Sequence, residues 1–411
     1  MKGKNLRFLI LTQYYAPEIG ATQIRLGAVS KELVRLGHEV EVVTALPNYP
    51  AGKIFPEYCG RFSCKESMGE VKVHRVWAYP ANGSGGKRLL SYLSFLLTCL
   101  TVLWKRPRPD FLLVDSPPLF LSLPGLLAAK RWKAGMIFNV ADLWPDEVRE
   151  MGLIGDGVFL RLAEYLEAWT YQHSQKVSAV TEGIRSRLIQ KGVPEQKILF
   201  LPNGADLELF QPRPFDLELI QELGVSGKKM FLYAGGMGYM HGLDSVIDAA
   251  HHLSGHKDIL FVFIGSGPEK SKLEKKAQDY SLNNVRFMDP APPEYIARLY
   301  SLATAGLVSV RALPSFNGFR SAKMFPAMAS GVPLIYCGIG EGPQLVRDAE
   351  AGLVIEPEDP EALKEAVLTL AHDSGLAKRL GSNGRKYMEA NLSWNGLVKN
   401  WLGQLFNGTR G

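Results

Sequence analysis

Twice along this chain a short apolar run gives way to a polar, glycine-bearing loop, then to a helix-period segment, then to a second apolar run. The first instance is Leu6–Leu11, the loop Thr12–Gly20, a helix with Leu26, Val29, Leu33 and Leu36 in step, and Val40–Thr44. Gly37 fits the C-terminal cap of that helix. The second instance starts at Met230–Ala234, passes through GGMGYMHG and a helix over Leu243–Ala250, and reaches Ile259–Ile264. Strand, loop, helix, strand is a βαβ unit, which commits the chain to parallel sheets with ligand groups at the strand C-termini. The expectation is therefore an α/β protein of two doubly wound domains. They are placed at 1–205 and 228–390, joined by a Pro-, Asp- and Gln-rich linker at 206–227, with 391–411 returning to the first domain.

A length of 411 residues suits two such cores. The composition, 46% hydrophobic and 21% charged, is that of a folded chain. A net charge of +6 suits anionic ligands or an anionic membrane surface and is too small for a nucleic-acid footprint. The four cysteines make no disulfide framework, and Cys59 and Cys64 lack zinc-site spacing, so all four read as cytoplasmic thiols. Met1–Lys4 is basic, but Leu6–Leu11 is strand-sized with no cleavage site behind it, so no signal peptide is expected.

Residues able to do chemistry recur at predicted strand ends. The first is the loop Tyr14–Ala21 with Glu18 and Gly20, equally readable as plain chain reversal. After the strand Met136–Val140 comes ADLWPD, where Asp142, Asp146 and Glu147 gather three carboxylates, and Asp142 is placed to project into the crevice or to cap a helix. Gly235, Gly236 and Gly238 let backbone approach an anion at a helix start. Ser266 and Gly267 follow the next strand, and Asp289 closes the short run Val285–Asp289. Finally, Arg320 and Lys323 precede the apolar helix of FRSAKMFPAMASG, two cations at a positive helix end that read equally as a seat for a diphosphate and as a solvated helix start. Glu341 lies in the loop after the following strand, Leu334–Tyr336.

Leu89–Trp104 runs 16 residues without a charge, short of the roughly 20 a membrane span needs. Ser91, Ser94, Thr98 and Thr101 fall on one helical face, and Lys87, Arg88, Lys105, Arg106 and Arg108 flank the stretch. An interfacial helix would look like this, and so would a helix packed under a sheet.

From YYAPEIGATQIRLGAVSKELVRLGHEVEVVT to EAGLVIEPEDPEALKEAVLTLAHD the chain resembles the retaining, nucleotide-sugar-dependent glycosyltransferases of family four, which have the GT-B fold. TALPNYPAGKIFPEY, ADLWPDEVREMGL and FLYAGGMG bring it nearest to bacterial enzymes of capsule, O-antigen and colanic acid assembly that resemble L-fucosamine transferases. The resemblance implies two Rossmann-like domains, acceptor on the first and donor on the second. It also implies a last helix near Trp394–Phe406 that crosses back. Donor contacts would come from Gly20, Gly236, Gly238, Ser266, Gly267, Asp289 (beside the backbone after Phe287), Arg320 and Lys323. The donor would be a UDP-sugar and the acceptor a polyprenyl-diphosphate-linked saccharide at the cytoplasmic membrane face, with no nucleic acid involved.

The chain departs from the family in three places. Where many members carry an acidic pair, it has Gly318 and Pro326, which makes Glu341 the stand-in for the ribose contact. Where an Arg and a Lys usually follow the glycine loop, it has Met237 and His241. Ala141 replaces a common His, beside Asp142. Asp142 is then the expected base or orienter, with His241 as a catalytic group near the leaving phosphate. No Asp-x-Asp motif sits in a suitable loop, so neither metal nor bound cofactor is expected. A nucleotide-sugar 2-epimerase and a donor-binding scaffold subunit are the alternatives on the same fold.

Overall fold

The structure is a computed structural model and describes residues 5–81, 86–146, 149, 157–313 and 318–407. The chain divides into two compact units, Met1–Asn203 with Trp394–Gly411, and Gly204–Ser393.

The first unit holds eight strands: β1 Arg7–Leu11, β2 Glu39–Ala45, β3 Ser63–Met68, β4 Val71–Val76, β5 Phe111–Ser116, β6 Gly135–Val140, β7 Lys176–Ala179 and β8 Ile198–Phe200. Their order is β3-β4-β2-β1-β5-β6-β7-β8, and every pairing is parallel except β3 with β4. The order reverses between β1 and β5, the place where open parallel sheets leave a crevice at their strand ends. Central strands read as apolar runs because both faces are covered, and β1 and β5 are buried almost throughout. The edge hairpin of β3 and β4 has no such signature: β3, SCKESM, is mostly exposed. The helix Ala21–Arg35 ends at Gly37, whose φ of 88° is a conformation only glycine takes without strain, as the capping pattern requires. The last helix, Trp394–Asn407, packs on the first helix and β8 and buries Trp401 completely.

The helix Gly86–Leu103 sends Phe95, Cys99 and Leu103 into this core. Three members of its polar stripe also face inward, while Thr101 is exposed. Gln13 Nε2 donates to Ser91 Oγ at 2.9 Å, Ser94 Oγ accepts from the Tyr79 N–H at 2.7 Å, and Thr98 Oγ1 donates to the Trp77 carbonyl at 2.7 Å. The sides left exposed carry Leu90, Leu93, Leu97 and Trp104. By length and composition this helix could cross a membrane, yet Ser91, Tyr92, Phe95, Cys99 and Leu103 are buried in the unit.

The second unit holds β9 Lys229–Ala234, β10 Ile259–Ile264, β11 Val285–Met288, β12 Ala303–Ser309, β13 Leu334–Cys337 and β14 Gly352–Ile355. All pairings are parallel in the order β11-β10-β9-β12-β13-β14, so the reversal falls between β9 and β12. The stretch 206–227, expected to be a linker, belongs to this unit. Asp216 caps the helix Leu217–Leu223 by accepting from the Leu219 N–H at 2.9 Å, Arg298 Nε donates to Asp216 at 2.6 Å, and Leu219 is fully buried. Its Pro and Asp content reflects turns and a cap rather than a free tether. The unit begins at Gly204 and ends at Ser393, where Ala205 pairs with Ser393, so both expected boundaries shift by two or three residues.

Candidate active site

In the second unit the loops after β9 and β10 lock together through backbone. The Met237 N–H donates to the Ser266 carbonyl at 2.8 Å, and the Glu269 N–H to the Met237 carbonyl at 3.0 Å. That approach depends on glycine. A Cβ added at Gly265 would stand 2.1 Å from the Gly235 carbonyl oxygen, and one at Gly267 2.3 Å from that of Met237. Both residues have strongly positive φ. At Gly238 a Cβ would meet nothing within 4 Å. Gly236 and Gly238 donate to no backbone carbonyl among the described residues. Two uncommitted N–H groups thus border open space at the start of the turn Tyr239–His241, the arrangement that receives an anion.

Lys323 reaches this cradle from the start of the helix Met324–Ala329. Its stem lies over Gly235, where an added Cβ would be 2.6 Å from Lys323 Cε, and its ammonium sits 5.5 Å from the centre of the Tyr233 ring. Nζ donates to His241 Nε2 at 3.0 Å. Among the described residues no carboxylate pairs with Lys323, and burial pushes its pKa down to about 8. His241 is buried, and burial followed by the Lys323 charge pushes it down to about 3. A histidine so placed stays neutral near physiological pH. Through Nε2 it meets the Lys323 ammonium beside the glycine loop. Lys323 thus reaches the glycine loop from another segment, with His241 against its ammonium.

Arg320, three residues earlier, is ion-paired with Glu341, and its Nε is buried with no partner among the described residues. Glu341 opens the helix Glu341–Asp348 behind Gly340, whose φ is 88°. The two residues expected to hold phosphate and ribose therefore hold each other in this structure. Asp289 is exposed and paired with Lys270 at 2.8 Å, just past the end of β11. Gly20 belongs to the first unit, where its backbone is extended and an added Cβ would stand 2.4 Å from Gln23 Oε1.

The carboxylates of ADLWPD separate by environment. Burial pushes Asp146 up, but hydrogen bonds from Lys191 at 2.9 Å and Arg187 at 3.1 Å outweigh it and hold the group below its ordinary value. Asp146 is thus committed to the loop's own anchorage, together with Glu167, which also meets Lys191. Asp142 is raised by burial against the pull of Arg25 and Arg88. Glu147 lies outside the described residues. Glu18 ties two loops together: its Oε1 accepts from the Asn48 and Tyr49 N–H groups at 2.7 and 2.8 Å.

Around Asp142 stand residues the sequence reading passed over. Asp115, near the end of β5, is fully buried, accepts from Arg25 Nη2 at 3.1 Å and from Asn139 Nδ2 at 2.7 Å, and is raised by burial. Arg88 donates to the Tyr92 hydroxyl at 2.5 Å. The rule that singled out Asp142, a polar group at the end of a buried strand, applies equally to Asp115. Arg25 gave no signal, because it is one charged residue beside a buried helical stripe.

Residues 20–204 match the "Glycosyl transferase 4-like domain" model and residues 216–387 the "Glycosyl transferases group 1" model. The chain is 28% identical to WcaI of Escherichia coli (strain K12), named for glycosyl transfer in colanic acid biosynthesis, over 99% of this chain and all of that protein. It is 32% identical to an O-antigen chain mannosyltransferase C of Escherichia coli over 40% of this chain and 42% of that one. Among solved structures, Anabaena Alr3699/HepE in complex with UDP and glucose superposes with a TM-score of 0.74 at 16% identity, covering 98% of this chain and all of that one. WaaG, a glycosyltransferase involved in lipopolysaccharide biosynthesis, gives 0.68 at 16% identity, covering 98% and 100%. At such identities the likeness establishes the GT-B architecture of two Rossmann-like domains.

Proposed function

Since this chain is a glycosyltransferase, with a 4-like domain in front and a group 1 domain behind, we propose that it moves a sugar from a UDP-sugar, an N-acetylamino sugar for instance, to a lipid-linked saccharide in surface polysaccharide assembly, with retention of configuration. The observation that carries this reading is the cradle of the second unit. The Gly236 and Gly238 loop is locked to the Ser266–Gly267 turn through backbone, and the Lys323 stem lies over Gly235, beside the point where strand order reverses. Departure of a nucleoside diphosphate needs stabilisation of developing negative charge, and preorganised amides with a partly desolvated cation supply it. Arg320 and Glu341 divide between a phosphate oxygen and the ribose hydroxyls when donor enters. The uridine assignment draws on HepE, whose structure holds UDP.

On the acceptor side, Asp142 takes the proton of the attacking hydroxyl or orients it, a role suited to a carboxyl whose proton affinity is raised. The exposed leucines of the helix Gly86–Leu103 rest against the cytoplasmic face of the membrane, where a lipid-linked acceptor is found. A thermal-shift titration with UDP, GDP, ADP and their sugar conjugates tests the donor class, since a ligand of the folded state raises Tm by mass action. A rise with uridine nucleotides alone supports the reading. No rise with any nucleotide contradicts it.

A further inference from the structure

The turn Tyr239–His241 lies between two parts of the donor cradle: Gly238 opens it, and His241 at its end meets the Lys323 ammonium at 3.0 Å. Its own bonding is slight. The His241 N–H returns to the Gly238 carbonyl at 3.0 Å, and Gly242 ends the turn at a φ of 54°. What fixes it is Arg311, two residues past the end of β12. The Arg311 N–H donates to the Met240 carbonyl at 2.9 Å, and Nε donates to the Tyr239 carbonyl at 2.7 Å. The side-chain stem passes Gly242, where an added Cβ would stand 3.1 Å from Arg311 Cγ. The guanidinium lies 4.4 Å from the centre of the Tyr239 ring. Its outer nitrogens meet Glu358, in the loop after β14, and Asp244, the first residue of the helix Asp244–His252, at 3.5 Å.

Stability alone does not account for this arrangement. Tyr239 is 63% exposed and the Glu358 side chain 42%, a setting in which ring stacking and ion pairing each contribute little. Glu358 also has a φ of 57°, a left-handed conformation that strains any residue with a Cβ, and such strain collects at binding sites. We propose that Arg311 is a positioning residue of the donor site, the clamp that keeps the turn Tyr239–His241, and through it Gly238 and the Lys323–His241 pair, in the place where the diphosphate is received. The proposal rests on the reading of this cradle as the diphosphate seat. Glu358 and Asp244 meet the charge of Arg311, so it acts on the ligand through the turn and not by touching it. A guanidinium suits the task because its flat face covers a ring while Nε and the outer nitrogens donate in separate directions, which a lysine ammonium cannot do.

That difference supplies the test. Arg311→Lys keeps a cation for Glu358 and Asp244 but loses the fork, so Tm should stay within a few degrees while the UDP Kd, read by calorimetry, rises about tenfold. Tyr239→Leu removes the ring from an exposed position, so Tm should not change and the Kd should rise about threefold. The double variant should bind no more weakly than Arg311→Lys alone, because both changes release the same clamp. Without ligand, amide hydrogen exchange over residues 238–242 should quicken in both single variants while β9 stays protected. A folded Arg311→Lys with wild-type Kd, or two losses that simply multiply in the double variant, overturns the positioning role. Should the Arg311 variant fail to fold, Tyr239→Leu carries the test alone: faster exchange over 238–242 with weaker UDP binding supports the clamp, and wild-type values of both overturn it. Wild-type protein that binds no UDP, or Lys323→Met that binds it as tightly as wild type, removes the diphosphate reading itself and this inference with it.

Discussion

Replacing Lys323 by Met isolates the charge at the centre of the donor cradle. The stem of Lys323 lies over Gly235 and beside the Tyr233 ring, and a methionine of similar length preserves that packing while deleting the ammonium. A charge-assisted hydrogen bond to a phosphate oxygen is worth about 1.5–3 kcal/mol. Taking about 2 kcal/mol, the UDP Kd should rise roughly 30-fold. The unliganded protein should not melt earlier, because no carboxylate among the described residues pairs with Lys323 and burial works against its charge. The pH dependence gives a second reading. The pKa of Lys323 is pushed down to about 8, so the cation is present below that value and disappears as pH rises through it. Wild-type affinity for UDP should therefore weaken between pH 7 and pH 9, while the Met variant should be flat over the same interval. Isothermal calorimetry at both values decides it. Equal affinity of variant and wild type, with the same pH trend, would refute the assignment of Lys323 to the diphosphate.

Other substitutions probe the frame around it. Gly265→Ala forces a Cβ to 2.1 Å from the Gly235 carbonyl at a φ of 143°, so the loop lock should fail at a cost of roughly 3 kcal/mol, read as a lower urea midpoint and lost UDP binding. Wild-type stability and binding would show that the two loops can part freely. Changing Leu90, Leu93 and Leu97 together to Gln should release the protein from anionic liposomes in a flotation assay while leaving its Tm within a few degrees, because these side chains are exposed. Unchanged flotation would move the docking surface elsewhere. Arg320→Ala should weaken UDP binding about tenfold, and Glu341→Gln should lower affinity for UDP more than for inorganic diphosphate, if the pair opens onto phosphate and ribose.

Much of this fold was readable because a parallel strand covered on both faces is an uninterrupted apolar run. Phe231, Phe261 and Ile335 announce their strands in that way. The edge strand β3 has a mostly exposed, charge-bearing sequence and gives no such sign. The helix Gly86–Leu103 shows a different limit. Periodicity reveals a stripe of Ser and Thr but cannot say which way it faces, and here Ser94 and Thr98 turn inward to the backbone of Tyr79 and Trp77 while Leu90, Leu93 and Leu97 turn outward. Of the site, the glycine loops were legible because close backbone approach leaves only one residue type available. The pairing of Lys323 with His241 joins segments 82 residues apart, and that of Arg25 with Asp115 joins segments 90 apart. Neither leaves a local pattern, since each partner taken alone resembles an ordinary helix-start or helix-face residue. The two acidic residues of ADLWPD look alike in sequence and differ only through Lys191 and Arg187, which arrive from a later helix.

The claim that this chain transfers sugar from a UDP-sugar to a lipid-linked saccharide is tested most directly by the reaction itself. Purified protein, a panel of UDP-sugars and a polyprenyl-diphosphate-linked saccharide in anionic vesicles would be incubated together, and the lipid product read by mass and by the anomeric coupling of its new linkage. The account predicts a mass gain of one sugar, UDP released in equal amount, and the anomeric configuration of the donor retained. UDP binding with no mass gain on any lipid-linked acceptor, or a UDP-sugar returned as its epimer, would contradict it.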